Sequence, residues 1–111
     1  MANTFKNQLT HLTGTSASVY TAPAASGNIA IVLLAQAANV GSGAQAVSLC
    51  VYSNAGTPVK LTDLVLNLSV PEKAAVGLIA GKLVLEAGEH LYANAAAGSV
   101  IDMNISVLEI T

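Results

Sequence analysis

Hydrophobic and polar residues alternate with a period of two along much of the chain. The clearest alternation lies near the C-terminus, where Ile101, Met103, Ile105 and Val107 are separated by polar residues. This period is typical of a β-strand that packs one face on a core and exposes the other. Three further segments repeat it on one side: Leu64, Leu66 and Leu68, then Leu83 and Leu85, then Leu91, Ala93 and Ala95. The pattern predicts strands, and only residues 72–78 fit a single helical turn.

Turn-forming residues divide these runs into short strands. Asn, Gly and Pro favour turns, and they fall in residues 53–56, 86–89, 96–99, 23–28 and 41–43. Between them we place strands at residues 4–12, 16–21, 29–39, 45–53, 59–68, 80–86, 89–95 and 100–110. Turn signals about every ten residues predict a single all-β domain over residues 1–111, an antiparallel, jelly-roll-like β-sandwich of about eight short strands.

The composition excludes several classes of partner. Of the 111 residues, 53% are hydrophobic and 9% are charged, and the net charge is −2. Four lysines and no arginine cannot neutralise a run of phosphates, so we expect no nucleic acid and no acidic membrane surface as partner. No charged residue stands between Lys6 and Lys60. A surface so poor in charge indicates that other copies of the chain, or another protein, cover part of it.

Few residues offer reactive chemistry. His11 and His90 have no neighbouring histidine or cysteine, so we expect hydrogen-bonded histidines and no metal site. Cys50 lies in an apolar run, which indicates an inert buried thiol. No serine stands in a nucleophile motif, and the carboxylates lie in turns or alternate along strands. The sequence therefore predicts that the protein is not an enzyme, with no catalytic residue, no cofactor and no small-molecule substrate.

Four segments together suggest a family. They are residues 19–24 (VYTAPA), 39–40 (NV), 81–89 (GKLVLEAGE) and 106–111 (SVLEIT). In this order they resemble the small β-sandwich virion structural proteins of tailed bacteriophages, particularly the capsid-decoration or cement type. The resemblance implies a protein made in the host cytoplasm that binds the outer surface of the major capsid protein shell and stabilises it. It also implies copies of itself as partners, in a homo-trimer or another symmetric oligomer.

Two alternatives remain open. The first is a phage tail, connector or fibre component, which sequence patterns do not distinguish from a shell protein. The second, more distant, is a carbohydrate-binding β-sandwich module. It requires an exposed aromatic ring beside polar side chains, and Tyr52 or Tyr92 would supply it.

Candidate contact residues come from the N-terminal segment and the longest connections. Residues 1–6 form either an extended N-terminal arm that adds to a neighbouring edge or the first edge strand of their own sheet. Residues 22–28 and 70–80 are long connections, and loops often carry recognition. The second connection holds apolar residues that either seal an interface or plug the end of the sandwich. The candidates are Thr4, Phe5, Ala22, Pro23, Ala24, Val76, Leu78 and Ile79.

Overall fold

The computed structural model of the chain describes residues 2–54, 56–95 and 101–111. Within those ranges every regular element is a strand, so the all-β fold class is confirmed. The strands are β1 Asn3–His11, β2 Ala17–Thr21, β3 Ile29–Asn39, β4 Gln45–Tyr52, β5 Lys60–Val70, β6 Ala75–Gly77, β7 Leu83–Glu86, β8 His90–Ala95 and β9 Ile101–Ile110. Eight of them match the predicted strands to within a few residues. The predicted turn at residues 96–99, and Ala55 of another turn, lie outside the described residues.

The short strand β6 replaces the predicted helical turn at residues 72–78. That prediction is wrong because the backbone of Ala75–Gly77 pairs with β3, with Val76 opposite Ala37. Lys73, just before β6, has a φ of 57°, a left-handed conformation incompatible with a right-handed helical turn. None of the described segments is a helix long and apolar enough to cross a membrane.

The strands form two antiparallel sheets. Sheet A contains β1, β9 and β3 in that order. The short strands β7 and β6 both pair with the far edge of β3, β7 with its first residues and β6 with its last. Sheet B has the order β2, β8, β4, β5. Consecutive strands pass from one sheet to the other except between β4 and β5 and between β6 and β7. This is the strand order of a jelly roll, so the predicted architecture is confirmed.

The hydrophobic core lies between the sheets and follows the predicted alternation. The four apolar residues of β9 from Ile101 to Val107 are all buried. Sheet B contributes Leu91, Ala93 and Ala95 of β8, which are buried as well. Two sheets that each bury one face in this way make a sandwich core.

Strand β5 departs from the predicted pattern. Leu64, Leu66 and Leu68 were expected on one buried side, but Leu66 is 65% exposed. Leu64 and the adjacent Val65 instead both pack against the core. The pairing of β5 with β4 shifts register at three places, and Asn67 has a φ of 52°. Each bulge moves the following residues to the other face, so simple alternation does not survive along this edge.

A buried carboxylate connects the two sheets. Glu109 of β9 accepts a hydrogen bond from the Tyr20 hydroxyl of β2 at 2.6 Å, and Lys6 Nζ of β1 lies 3.1 Å from its other oxygen. Burial raises the pKa of Glu109, but the hydrogen bonds from Tyr20 and Lys6 and the charge of Lys6 outweigh it, so the net pKa is lowered. Burial, together with the neighbouring carboxylate, raises the pKa of Tyr20.

Candidate assembly surface

The outer face of sheet A carries a continuous row of apolar side chains. Phe5 of β1 pairs with Leu108 of β9, Leu108 with Ile31 of β3, and Ile31 with Val84 of β7. Directly paired residues of antiparallel strands project from the same face, so we call these four residues the outer apolar row. Phe5 is 73% exposed and Val84 is 56% exposed. Ile31 and Leu108, between them, are half-buried, and an exposed apolar patch of this kind is a candidate site of interaction with another surface.

More apolar residues extend the row on both sides. Ile29 and Ile110 pair with each other on one side and are half-buried. On the other side Leu33 and Leu34 are both exposed. The register between β3 and β9 shifts between Val32 and Leu34, and this irregularity presents two consecutive leucines to the outside.

Strand β1 has polar side chains on the inner face of sheet A, where β9 is mostly apolar, and apolar side chains on the outer face. Its residues that pair with the buried positions of β9 are polar: Thr4, Lys6, Gln8 and Thr10. Phe5 and Leu9 therefore lie on the outer face of sheet A. Because β1 buries little apolar surface, the backbone ladder with β9 and the Lys6–Glu109 ion pair hold it in place.

The structure separates the other predicted contact residues into two groups. Ala22 is 2% exposed and Leu78 is 5% exposed, so both belong to the core. Val76 and Ile79 are half-buried and pack against the same core at one end of the sandwich. In the connection after β2, Pro23 is half-buried and Ala24 is exposed.

The outer face of sheet B carries two stacked tyrosines. The rings of Tyr52 and Tyr92 are half-buried, with centroids 4.0 Å apart and an interplanar angle of 16°. His90 meets Tyr92 edge-on and hydrogen-bonds the Thr21 hydroxyl at 2.8 Å. A sugar-binding platform offers a free ring face to its ligand. Here one face of each tyrosine ring is covered by the ring of the other tyrosine.

Reactive groups in the described part of the chain are paired or shielded. His11 contacts the carboxylate of Asp102 across the β1–β9 pair, at the rim of a cavity of about 360 Å³. Cys50 is buried, and burial raises the pKa of its thiol, which keeps the unreactive protonated form. No group of three potential metal ligands occurs among the described residues.

No protein-family model matches the chain, and no curated protein sequence matches it. Solved structures do. A chain of the Bacillus endospore appendages, described as disulfide-linked pili, has a TM-score of 0.57 and 12% identity, over 96% of this chain and 85% of that one. A chain of the T13 IBDV viral particle has a TM-score of 0.57 and 7% identity, over 96% of this chain and 31% of that one. The fold is that of viral particle and pilus subunits.

A pentameric capsid protein isolated from metagenomic phage sequences is also similar. Its TM-score is 0.40 with 14% identity, over 91% of this chain and 60% of that one. At these identities the likeness concerns the fold alone. The present chain spans less than a third of the length of the viral-particle chain that it matches.

The outer apolar row is the feature that sequence reasoning missed, although a signal for it exists. In the last strand the outward positions Asp102, Asn104 and Ser106 are polar, but the next two, Leu108 and Ile110, are apolar. An alternating strand that becomes apolar on both faces indicates that its outer face is covered along that stretch. Only the strand order shows that Phe5, Ile31 and Val84 continue the same row across the sheet.

Proposed function

We propose that this chain is a non-enzymatic structural protein of a bacteriophage virion, of the capsid-decoration type. In this role it binds the outer surface of the major capsid protein shell and braces it. The observation that carries the proposal is the outer apolar row on an exposed sheet face of a jelly roll. The low charge of the chain and the absence of a recognisable reactive motif in its sequence agree with a role in contact rather than in chemistry.

Apolar burial supplies the binding energy in this proposal. Removing one large, exposed apolar side chain from water contributes about 1.5–3 kcal/mol. Phe5 and Val84 stand at the two ends of the row, so a flat partner surface covers both together with Leu108 and Ile31. Many identical copies on one shell add their contacts, and modest individual affinity is then sufficient.

The predicted contacts divide accordingly. Thr4 and Phe5 remain proposed contact residues, because β1 is exposed along almost its whole length. Pro23 and Ala24 lie at the surface beside the β7–β8 turn, where Gly88 N–H donates to the Pro23 carbonyl at 3.1 Å. Ala22, Val76, Leu78 and Ile79 would act indirectly, by holding the ends of the sandwich in shape.

The proposal is tested on intact particles of the phage that encodes the chain. Antibody raised against the purified protein is detected by immunogold electron microscopy, with antibody against the major capsid protein as the positive control. Gold distributed over the heads supports decoration. No gold on particles that the control antibody labels overturns a virion role.

A tail or fibre component is the second candidate. The pilus subunit that shares the fold does so over 85% of its own length, which shows that this fold also occurs in filaments. In the same experiment, gold restricted to tails or to one vertex supports this candidate and rejects decoration. The symmetry of the bound copies then provides a second criterion, since shell sites follow icosahedral axes and tail sites form rings.

A further inference from the structure

Strand β1 has one hydrogen-bonding edge without a partner among the described residues. It pairs with β9 along its other edge from Asn3 to His11. Ala2 N–H donates to the Thr111 carbonyl, and Thr111 N–H donates to the Ala2 carbonyl. This pair determines which residues of β1 form hydrogen bonds with β9. Even-numbered residues point their backbone groups towards β9, and odd-numbered residues point theirs outwards. The open edge therefore presents the N–H and C=O groups of residues 3, 5, 7, 9 and 11.

The other outer strands carry features that discourage pairing, and β1 does not. β5 has three register shifts against its neighbour, and β2 has five residues and one shift. β6 and β7 have three and four residues. β1 is nine residues long with an unbroken register, and it contains neither proline nor glycine. Its one lysine, Lys6, is neutralised by Glu109 at 3.1 Å. A long, regular edge with exposed apolar side chains is a template for another strand.

The side chains of β1 show which strand fits. We propose that β1 pairs antiparallel with the β1 of a second copy, about a two-fold axis through Asn7. In this register Phe5 lies opposite Leu9 of the second copy on the outer face, and Thr4 lies opposite Thr10 on the inner face. Lys6 lies opposite the neutral Gln8. The five residues whose backbone N–H and C=O groups lie on the open edge then hydrogen-bond to the same five residues of the second copy.

Neighbouring registers with the same hydrogen-bond parity are worse. A two-fold axis at Lys6 places two lysines directly opposite each other, and like charges in that position destabilise a strand pair. An axis at Gln8 places Phe5 opposite His11 and Leu9 opposite Asn7. Of these three registers, only the one with its axis at Asn7 places Phe5 opposite Leu9 and keeps the lysines apart.

The pairing closes on itself and lengthens the apolar surface. A two-fold contact uses the same edge of both copies, so it ends at a dimer and leaves no open β1 edge. Sheet A becomes continuous across the two copies, and the outer apolar row of each copy continues into Leu9 of the other. The inference stands apart from the proposed function, because the pairing requires only this chain.

The first test measures oligomeric state by sedimentation velocity. We expect the purified protein to be a dimer at micromolar concentration. Asn7→Pro removes only an outward N–H and leaves the ladder with β9 intact, so it should give a folded monomer. Asn7→Ala keeps that N–H and should remain a dimer. A monomeric parent protein, or a folded Asn7→Pro variant that still dimerises, overturns the proposal.

A cross-linking test determines the register even if Asn7→Pro fails to fold. In Asn7→Cys the two introduced thiols face each other across the axis, with Cα atoms roughly 5.5 Å apart. In Leu9→Cys they are roughly 14 Å apart, at 3.4 Å per residue. A short thiol-to-thiol cross-linker should join Asn7→Cys chains in high yield and Leu9→Cys chains hardly at all. Equal yields for the two variants, or no product from Asn7→Cys, contradict the register. The parent protein, with Cys50 buried, provides the background.

Discussion

Ile105 shows what one core position contributes. It is fully buried in the middle of β9, between two polar residues that face outwards. Ile105→Asp should lower the free energy of unfolding by about 3–5 kcal/mol, because an unpaired carboxylate enters the core. The matched control is Ser106→Asp, one residue along on the outer face, which should change stability by no more than about 0.5 kcal/mol. Urea unfolding followed by circular dichroism measures both. A native-like, equally stable Ile105→Asp protein would show that β9 faces the other way.

The Glu109 network makes stability depend on pH. The folded-state pKa of Glu109 lies below its ordinary value of 4.5, so its contribution is complete above that pH and is lost as the pH falls through the folded pKa. The folded-state pKa of Tyr20 is raised above 10.0, so its contribution is complete below that pH and is lost on further alkalinisation. We therefore expect the melting temperature to fall at both extremes.

The acid limb can be assigned to one side chain. Glu109→Gln should flatten the loss of melting temperature below about pH 4.5, while Glu86→Gln, at an exposed position of β7, should leave it in place. Thermal unfolding at closely spaced pH values provides the measurement. If the two variants have the same acid profile, Glu109 is not the group responsible.

The turn between β7 and β8 leaves no room for a side chain at Gly88. Gly88 has a φ of 76°, and a Cβ there would come within 2.8 Å of Asn54 Cβ. Asn54 also donates a hydrogen bond to the Ala87 carbonyl at 2.9 Å, so two loops pack together at this point. Gly88→Ala should destabilise the protein by more than the strain of about 1–2 kcal/mol for a left-handed residue alone.

Gly27→Ala is the control for that turn. Gly27 has a φ of 86°, but nothing lies within 4 Å of a Cβ placed there. It should show the conformational strain without the steric clash, and thus a smaller loss of stability in chemical denaturation. Equal losses for the two variants would indicate that the Asn54 loop moves aside without cost.

The outer apolar row is tested by substitutions at its two ends. Under the proposed function, Phe5→Ser and Val84→Ser should each weaken binding to undecorated shells at least tenfold, because each buried side chain contributes about 1.5–3 kcal/mol and about 1.4 kcal/mol corresponds to a factor of ten. Leu66→Ser removes an equally exposed apolar side chain from β5, in the other sheet, and should bind as the parent protein does. Co-sedimentation with shells measures binding, and circular dichroism verifies folding. A loss only in Leu66→Ser would move the contact to sheet B.

Predictability differs from element to element for physical reasons. β9 was predicted to within one residue because its inward positions from Ile101 to Val107 are all apolar and alternate with polar residues. β5 was located correctly, but its faces were not, because three register shifts leave no trace in the residue pattern. β6 was missed because three residues at a sheet edge carry too little periodicity to indicate a strand.

For the whole molecule, sequence reasoning predicted the all-β, jelly-roll architecture. It did not locate the candidate surface, because the outer apolar row joins four strands that are distant in sequence. Periodicity describes one strand at a time, whereas a surface depends on which strands become neighbours. Phe5 was among the predicted contact residues because of its type and terminal position, and the strand order adds Ile31, Val84 and Leu108 to it.

The position of β9 between β1 and β3 has a consequence for the timing of folding. This inner strand of sheet A is the last of the nine described strands to be synthesised, and its partners in β1 precede it by at least 91 positions, the separation of His11 from Asp102. Until β9 leaves the ribosome, sheet A lacks the strand that joins β1 to β3. Sheet A therefore cannot be completed before β9 has left the ribosome, and such long-range pairing is intrinsically slow.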